Sequence, residues 1–222
     1  MRGPGPLGRL LVLWLLRAIQ TVDRVRLAGL RWRHPGLSIH PEASTNFASA
    51  EFRLQPGARL EIGAGAVTER RRGGVVFTLE PGAEVRVGEG VWLRSDVGPV
   101  RLVAFAGARI ELAPEAFLNG ALLSAKREVR VGRRSMIGPG SRVYDADQHD
   151  FDDATPERVA PVRIGDHVWV ASDVTVMRGV TVGDHCVVGA RSLVTHDLPD
   201  HTRAYGVPAR SRGPVGDRSC TR

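Results

Sequence analysis

The stretch that decides the fold runs from residue 164 to residue 198 and reads IGDHVWVASDVTVMRGVTVGDHCVVGARSLVTHDL. Aliphatic residues recur in it at every sixth position, whereas a helix would repeat at three and four and a single strand at two. A period of six indicates short strands that each end in a corner. This pattern is typical of a parallel β-helix with three strands in each coil. The repeating residues are Ile164, Val170, Val176, Val182, Val188 and Val194.

The same unit recurs upstream as a four-residue start, in which a polar residue, usually charged, stands between two aliphatic ones. Alternation of this kind places the polar side chain outside and the aliphatic side chains inside. The last two starts are separated by three hexapeptides, which is one clean coil, and the earlier intervals are all longer. The widest interval therefore predicts an insertion of about 15 residues. The starts begin at Leu60, Val85, Ile110, Val129, Val162 and Val180, and Leu37 opens one more coil.

These periods predict an all-β protein whose single solenoid covers residues 37–198. Residues 1–36 precede it and contain, from 8 to 33, a proline-free basic segment with an imperfect apolar stripe, which predicts a helix. Such a helix would cap the open first coil, as solenoids require, or lie on an anionic membrane surface. Both interpretations stay open. Residues 199–222 form a C-terminal tail.

The net charge of +7 is unevenly distributed along the chain. Residues 1–33 carry +6 and residues 203–222 carry +4, whereas the long segment between them carries −3. Nucleic-acid binding would need a basic face with interleaved aromatic residues. Since the body is slightly acidic and has no such face, nucleic acid is not expected as a partner.

The cysteines and the longest apolar run bear on the cellular compartment. Cys186 and Cys220 make neither a disulfide framework nor a metal motif, which favours a reducing compartment. The longest apolar run, Leu10–Leu16, is too short to span a membrane, and no small-residue cleavage site follows it as in a signal peptide. We expect a cytoplasmic protein, with peripheral contact at the inner face of the membrane as the open alternative for residues 8–33.

The longest interruption of the repeat is a loop over residues 144–161, which contains His149 among five aspartates. Repeat proteins place insertions on their binding face, and long loops in compact domains are functional or disordered. A carboxylate near an imidazole suits a general base that works near neutral pH. The alternative is a solvated acidic loop with an incidental histidine. The aspartates are Asp145, Asp147, Asp150, Asp152 and Asp153.

The C-terminal half of the chain resembles the hexapeptide-repeat acyltransferases, in particular the sugar and polysaccharide O-acetyltransferases related to maltose and galactoside acetyltransferases. The resemblance implies a left-handed parallel β-helix that forms a homotrimer and binds acetyl-CoA between neighbouring subunits. It also implies transfer of an acyl group, most typically acetyl, to a hydroxyl of a sugar or glycan precursor in polysaccharide biosynthesis. The matching segments are Leu118–Gly120, Asp145–His149, Ile164–Ser172, Val182–Ala190, Thr195–Pro199 and Gly206–Arg210.

The resemblance also assigns roles to individual residues. His149 matches the catalytic histidine that takes the proton of the acceptor hydroxyl, and Asn119 matches a residue that contacts the acceptor. Asp145 or Asp147 would orient His149 or hold a sugar hydroxyl, and the choice between them stays open. No metal is expected. The residues that match coenzyme contacts are Trp169, Ser172 and Ala190 at the pantetheine arm and Thr195, His196 and Arg210 at the phosphate end.

Two departures from the family pattern concern the coenzyme groove. His196 stands where lysine is common, which would weaken phosphate binding unless a neighbouring arginine replaces it, and Ala171 stands where glycine is usual. The tail, residues 199–222, would close the groove, and its end is expected to be disordered.

Three other functions compete with this one. A γ-class carbonic anhydrase shares the β-helix and binds zinc through three histidines, and His149, His167 and His185 follow one another at the interval of one clean coil. His167 and His185 both follow Gly-Asp at a corner, however, which favours a repeated turn residue. A non-catalytic or membrane-associated β-helical scaffold stays open. Amino-sugar and antibiotic N-acetyltransferases also use a loop histidine, so an amine acceptor stays open as well.

Overall fold

A computed structural model describes residues 6–220, with side chains from residue 10 onward. The chain winds through three parallel sheets in turn, so that each coil contributes one strand to each sheet. Strands are numbered along the chain. The first sheet contains β1 (Leu37–Ile39), β3 (Arg59–Ile62), β6 (Glu84–Val87), β9 (Arg109–Leu112), β12 (Glu128–Val131), β15 (Val162–Ile164) and β18 (Thr181–Val182).

The other two sheets complete the triangular cross-section. The second sheet contains β4 (Val67–Thr68), β7 (Trp92–Arg94), β10 (Phe117–Asn119), β13 (Met136–Ile137), β16 (Trp169–Val170), β19 (Val187–Val188), β21 (Thr202–Gly206) and β22 (Ala209–Pro214). The third sheet contains β2 (Glu51–Leu54), β5 (Val75–Leu79), β8 (Val100–Ala104), β11 (Leu122–Ala125), β14 (Arg142–Tyr144), β17 (Thr175–Val176) and β20 (Leu193–Val194).

The six predicted starts lie side by side in the first sheet and pair in register, Leu60 with Val85 and Val85 with Ile110. Leu37 pairs with Leu60, so β1 opens a further coil as predicted. Every residue of the six-residue period that opened the sequence analysis is buried and points into the coil. Valine, isoleucine, leucine and alanine fill this interior, and charged residues stand on the outer face of the first sheet, where Arg109 and Glu84 form an ion pair. The β-helix prediction is confirmed.

The corners between the sheets position the candidate site, and we name them in the order in which the chain passes them. The first corner joins the first sheet to the second, the second corner joins the second sheet to the third, and the third corner leads back to the first sheet. The predicted loop occupies the third corner between β14 and β15. This placement shows that the longest insertion projects from a single edge of the coil.

An α-helix, α1 (Pro6–Arg33), precedes the first coil, and a 3₁₀ helix, η1 (Thr45–Ser49), takes the place of the first strand of the second sheet. The second half of α1 packs on η1 and β1, where Leu27 is buried and the buried Asp23 carboxylate pairs with the half-exposed Arg70. This half of the helix is a cap on the open coil. Residues 1–5 of the predicted segment 1–36 lie outside the described residues.

The second sheet continues beyond residue 198, where the sequence analysis ended the solenoid. β21 pairs with β19 in parallel and turns back into β22, so the tail begins as a hairpin. Residues 215–219 then lie along the first corner, where the Arg218 N–H donates to Nδ1 of His185 at 3.0 Å. Residues 221–222, at the end where disorder is expected, lie outside the described part of the chain.

Candidate active site

The second corner carries three of the predicted site residues in one line. Backbone hydrogen bonds join the second corner of each coil to that of the next. Gly140 N–H donates to Gly120 O at 2.9 Å, and Arg191 N–H donates to Ser172 O at 2.9 Å. Between them Asp173 N–H donates to Pro139 O at 2.8 Å. Because Asn119 and Ala190 adjoin residues of this ladder, they line up with Ser172 along the coil axis, about 4.8 Å apart for each successive coil.

A cavity of about 180 Å³ opens at this corner and is lined by Asn119, Trp169 and Ser172, with Phe117 and Met136 beside them. Asn119 Oδ1 is buried and has no hydrogen-bond partner among residues 6–220. Buried polar atoms are almost always paired in proteins, and an amide oxygen accepts from a hydroxyl. Asn119 therefore holds an unused acceptor beside the cavity, of the kind that pairs with a ligand O–H group.

Trp169 forms one side of this cavity and is 43% exposed. Its ring lies on the outer face of the second sheet, and the Arg218 guanidinium stands 5.7 Å from the ring centre. A half-exposed indole is a flat apolar surface with a polar N–H. This surface is open to a ligand, and contact of Trp169 with the coenzyme stays a prediction.

The loop at the third corner is held at its base by Asp145, whose side chain is completely buried. Its two carboxylate oxygens accept the backbone N–H groups of Lys126, Arg127 and Glu128, each at 2.7 Å. Burial raises the pKa of Asp145, and these three hydrogen bonds oppose that rise. The prediction that Asp145 orients His149 or holds a sugar hydroxyl is wrong, because the carboxylate is buried and fully used by the turn between β11 and β12.

Asp147 joins the loop to the next coil. Its Oδ1 accepts from Nε of Arg178 at 2.5 Å, and its Oδ2 accepts from the N–H of Arg158 at 3.2 Å. The Arg178 guanidinium lowers the pKa of Asp147. In this structure Asp147 therefore anchors the loop and has no hydrogen bond to His149, whereas its expected contact with a sugar hydroxyl stays a prediction.

His149 stands at the exposed part of the loop, and within the described chain no hydrogen bond or ion pair engages its ring. The residue before it is fixed more firmly, since Lys126 Nζ donates to Gln148 O at 3.3 Å and to Glu157 Oε2 at 2.7 Å. The loop is thus tied down next to His149 while the imidazole stays open to solvent. Such a histidine is available to take a proton from a bound hydroxyl.

Comparison with known proteins identifies the repeat. Residues 161–196 match the family model described as bacterial transferase hexapeptide (six repeats). Residues 161–196 carry the bacterial transferase hexapeptide repeat. Its fold is the left-handed parallel β-helix of such proteins, as the resemblance implied.

Named relatives of this hexapeptide-repeat protein are acetyltransferases and a nodulation protein. Galactoside O-acetyltransferase of Escherichia coli is 47% identical over 58 residues, which are 26% of this chain and 29% of the relative. Nodulation protein L of Rhizobium meliloti is 39% identical over 111 residues, or 48% of this chain and 61% of the relative. The matches thus span less than two thirds of the length of these relatives.

Among solved structures, the polysialic acid O-acetyltransferase OatWY superposes with a TM-score of 0.52 at 19% identity. The superposition covers 77% of this chain and 92% of that one. At this identity the likeness establishes the fold, and it extends the match well beyond residues 161–196.

The residues predicted at the phosphate end of the coenzyme do not meet within one hexapeptide-repeat chain. Thr195 and His196 lie at the third corner, where Thr195 Oγ1 and His196 Nδ1 are 2.9 Å apart. Arg210 lies on β22, the edge strand of the second sheet, and its Nη1 donates to Ala209 O at 3.0 Å. One chain therefore presents two lines of candidate residues, separated by the width of the third sheet.

The zinc alternative conflicts with the positions of the histidines. His167 and His185 stack at the first corner with ring centres 5.0 Å apart, and His201 continues the stack at 4.7 Å. All three have positive φ near 58°, the turn conformation that this corner needs. His149 belongs to the third corner, so it does not complete a site with His167 and His185 of the same chain. Across the described residues no cluster of three or more histidine, cysteine or acidic side chains is suited to hold a metal ion.

Sequence reasoning missed Lys126 and Glu157, which together fix the loop beside His149. One signal was present: Lys126 is the single lysine among the 31 basic residues of this chain. Glu157 also keeps an oxygen, Oε1, buried and unpaired within the described residues. Nothing in its sequence neighbourhood distinguished Glu157 from the other loop acids.

The Arg178–Asp147 anchor leads to a testable prediction about the loop. Replacing Arg178 with alanine should speed amide hydrogen exchange in residues 145–161 by about fivefold to tenfold, because local opening then breaks one contact fewer. Lowering the pH should also favour local opening of residues 145–161. A carboxyl whose folded-state pKa is lowered stabilises the loop above the unfolded pKa of about 3.9, and this contribution is lost as pH falls through the lowered value.

Mass-spectrometric hydrogen exchange at several pH values measures this effect. Arg142→Ala is the matched control, because Arg142 is an exposed arginine of the preceding strand with no ion pair to the loop. Equal exchange in the Arg178→Ala and Arg142→Ala proteins would contradict the assigned anchor.

Proposed function

We propose that this protein is an acyltransferase that moves the acetyl group of acetyl-CoA to a hydroxyl of a sugar or glycan precursor. The observation that carries the proposal is the second-corner cavity, which Asn119, Trp169 and Ser172 line and beside which the Asn119 oxygen is buried without a partner in the described chain. The names of the relatives, galactoside O-acetyltransferase among them, support acetyl as the group and a sugar as the acceptor. Polysaccharide biosynthesis is the process that such an acceptor suggests.

The second corner fits an extended thioester arm. Several residues along it are small, namely Gly138, Ala171, Ser172, Gly189 and Ala190, so few side chains project into its path. Four successive coils give this line a length of about 15 Å. Trp169 offers a flat apolar surface beside it. These features support a groove that holds the pantetheine part of coenzyme A.

In the proposed reaction the acceptor oxygen attacks the thioester carbonyl carbon, a C–O bond forms, and the C–S bond breaks. His149 removes the hydroxyl proton as the oxygen attacks and delivers it to the departing sulfur, so free coenzyme A leaves as a thiol. Asn119 accepts a hydrogen bond from an acceptor hydroxyl and so holds the sugar in place. No covalent enzyme intermediate is needed.

A second copy of the chain completes this site in the proposal. Asn119 and the loop of His149 lie at opposite edges of the third sheet in one chain, so a single subunit does not bring base and acceptor together. In a homotrimer, the loop of each subunit would reach the second corner of a neighbour. We further propose a cytoplasmic location with peripheral contact at the inner face of the membrane, which the basic segment 8–33 supports.

Release of thiol from acetyl-CoA over a panel of sugars tests the function. We expect release that depends on both the protein and a hydroxyl-bearing acceptor, together with an acetylated product seen by mass spectrometry. Release without an acceptor would indicate hydrolysis and contradict the proposal. No release with any sugar or amino sugar would favour the non-catalytic scaffold, and preference for an amino sugar would transfer the proposal to amine acceptors.

His196 gives a prediction for the phosphate end of the coenzyme. His196→Lys should lower KM for acetyl-CoA by about threefold to fivefold with kcat unchanged, because an exposed ion pair with phosphate contributes up to about 1 kcal/mol. His40→Lys makes the same charge change at an exposed position of the first coil and should leave KM unchanged. An equal change in both variants would show a general charge effect and contradict the assignment of His196.

A further inference from the structure

The first half of α1 is separate from the rest of the molecule. Seven consecutive apolar residues, Leu10–Leu16, are each between 49% and 69% exposed, and Trp14 is the most exposed of them. The helix reaches the coil only in its second half, where Asp23 and Leu27 are buried. A large apolar surface therefore projects beyond the capped end of the solenoid.

The apolar surface of Leu10–Leu16 covers the whole circumference of the helix, because seven residues complete almost two turns. A helix that packs against one partner helix needs only a stripe, whereas a helix that is apolar all round requires an apolar environment on every side. The segment is about 10 Å long. That length is about a third of the hydrocarbon thickness of a bilayer, and no helix in residues 6–220 is long and apolar enough to cross a membrane.

The exposed charged residues that follow this segment in α1 are all positive. The single acid of residues 10–33, Asp23, is buried against Arg70, so it does not offset the arginines outside. Anionic headgroups attract basic residues next to an inserted apolar segment. The exposed arginines are Arg17, Arg24, Arg26, Arg31 and Arg33.

We infer that residues 10–16 insert into the surface of an anionic lipid bilayer, with Arg17 among the headgroups and with the later exposed arginines and the coil outside. This goes beyond the proposed acyl transfer and does not rest on it. It also limits the lipid-binding part of the basic segment 8–33 to residues 10–16, since residues 23–30 cap the coil. Both roles anticipated for the helix are assigned, each to its own half.

A second copy of the chain is the competing occupant of this surface. Pairing two such helices would cover only one side of each and would bring the exposed arginines of both copies together. Like charges at that distance oppose association. A bilayer covers all sides at once and supplies the opposite charge, so the observations favour lipid.

Flotation of the full-length protein tests the inference, with vesicles of phosphatidylcholine alone and with vesicles of phosphatidylcholine and phosphatidylglycerol in a two-to-one molar ratio. We expect the partition coefficient to be at least about tenfold higher on the anionic vesicles and to fall as salt is raised. Leu11→Glu combined with Leu15→Glu should lower binding by more than about tenfold, since two charges enter the apolar region. Arg17→Gln and Arg26→Gln should each cost about fivefold on anionic vesicles only.

Val97→Glu is the matched control, because Val97 is 61% exposed on a loop of the coil, far along the chain from α1. It should bind vesicles like the wild type. Unchanged flotation of the Leu11→Glu, Leu15→Glu protein would overturn the inference. So would a fall in its molecular mass in lipid-free sedimentation relative to the wild type, which would assign the surface to contact between copies.

The same double variant separates this inference from the proposed function. Acetyl transfer to a water-soluble acceptor should be unchanged in it, because the substituted residues lie outside both corners that carry the candidate site. Loss of lipid binding with retained transfer supports the inference alone. Failure of the wild type to transfer acetyl would refute the proposed function and leave the vesicle result intact.

Discussion

Replacing His149 with alanine is expected to lower kcat for acetyl transfer by about 10²-fold to 10⁴-fold, the range for loss of a general base. KM for acetyl-CoA and for the acceptor should stay within about twofold, because proton removal belongs to the transition state. Stability should change by less than about 0.5 kcal/mol, since the ring is exposed and engages no partner within residues 6–220. Initial rates and urea unfolding on the same preparation measure both effects.

His40→Ala controls for the removal of an exposed imidazole, because His40 lies in the first coil and away from both candidate corners. Its activity should equal that of the wild type. Full activity in the His149→Ala protein would refute the base assignment while leaving the fold intact. A similar loss in both proteins would show that the assay responds to something other than the loop.

Replacing Asp145 with alanine should lower the free energy of unfolding by about 3 kcal/mol or more. Three backbone N–H groups lose their acceptor in a completely buried position, and each buried donor left unpaired costs about 1–3 kcal/mol. Asp145→Asn should be intermediate, because the amide keeps one acceptor oxygen. Urea unfolding midpoints with their slopes measure the difference.

Asp153→Ala is the matched control for this substitution. Asp153 belongs to the same loop but is exposed, and no described residue binds it, so its removal should change stability by less than about 0.5 kcal/mol. Equal stability of the Asp145→Ala and wild-type proteins would show that the buried carboxylate is not what holds the turn. A deficit shared by Asp145→Ala and Asp153→Ala would assign the effect to loop charge.

The β-helix was predictable because its signal is local and repeated. Each start of the first sheet carries the same alternation of aliphatic and polar residues. Every further coil repeats this pattern, so the prediction does not depend on a single segment. His201 escaped the sequence analysis because it follows His185 by slightly less than three hexapeptides and its corner lacks the preceding glycine. Only the stacked rings show that both corners are equivalent.

The candidate site was predictable only in part, because the role of a side chain depends on which corner it occupies and what lies beside it. Asn119 and Ser172 came together as expected, since both adjoin strands of the second sheet. Asp145 did not serve as expected, because its partners are backbone groups of residues 126–128, one coil upstream. Spacing along the chain does not reveal that a carboxylate is buried against the previous coil.

The coils stack uniformly. The distance from the helix-capped end to the second-corner cavity is therefore a whole number of coil rises. Asn119 lies in the fourth coil, three rises above β1, or about 14 Å along the axis at about 4.8 Å for each rise. Deleting or adding one complete coil below it would move the cavity by a single step and leave its walls unchanged. If both proposals hold, the number of coils sets the distance between the bilayer surface and an acceptor bound at the second corner.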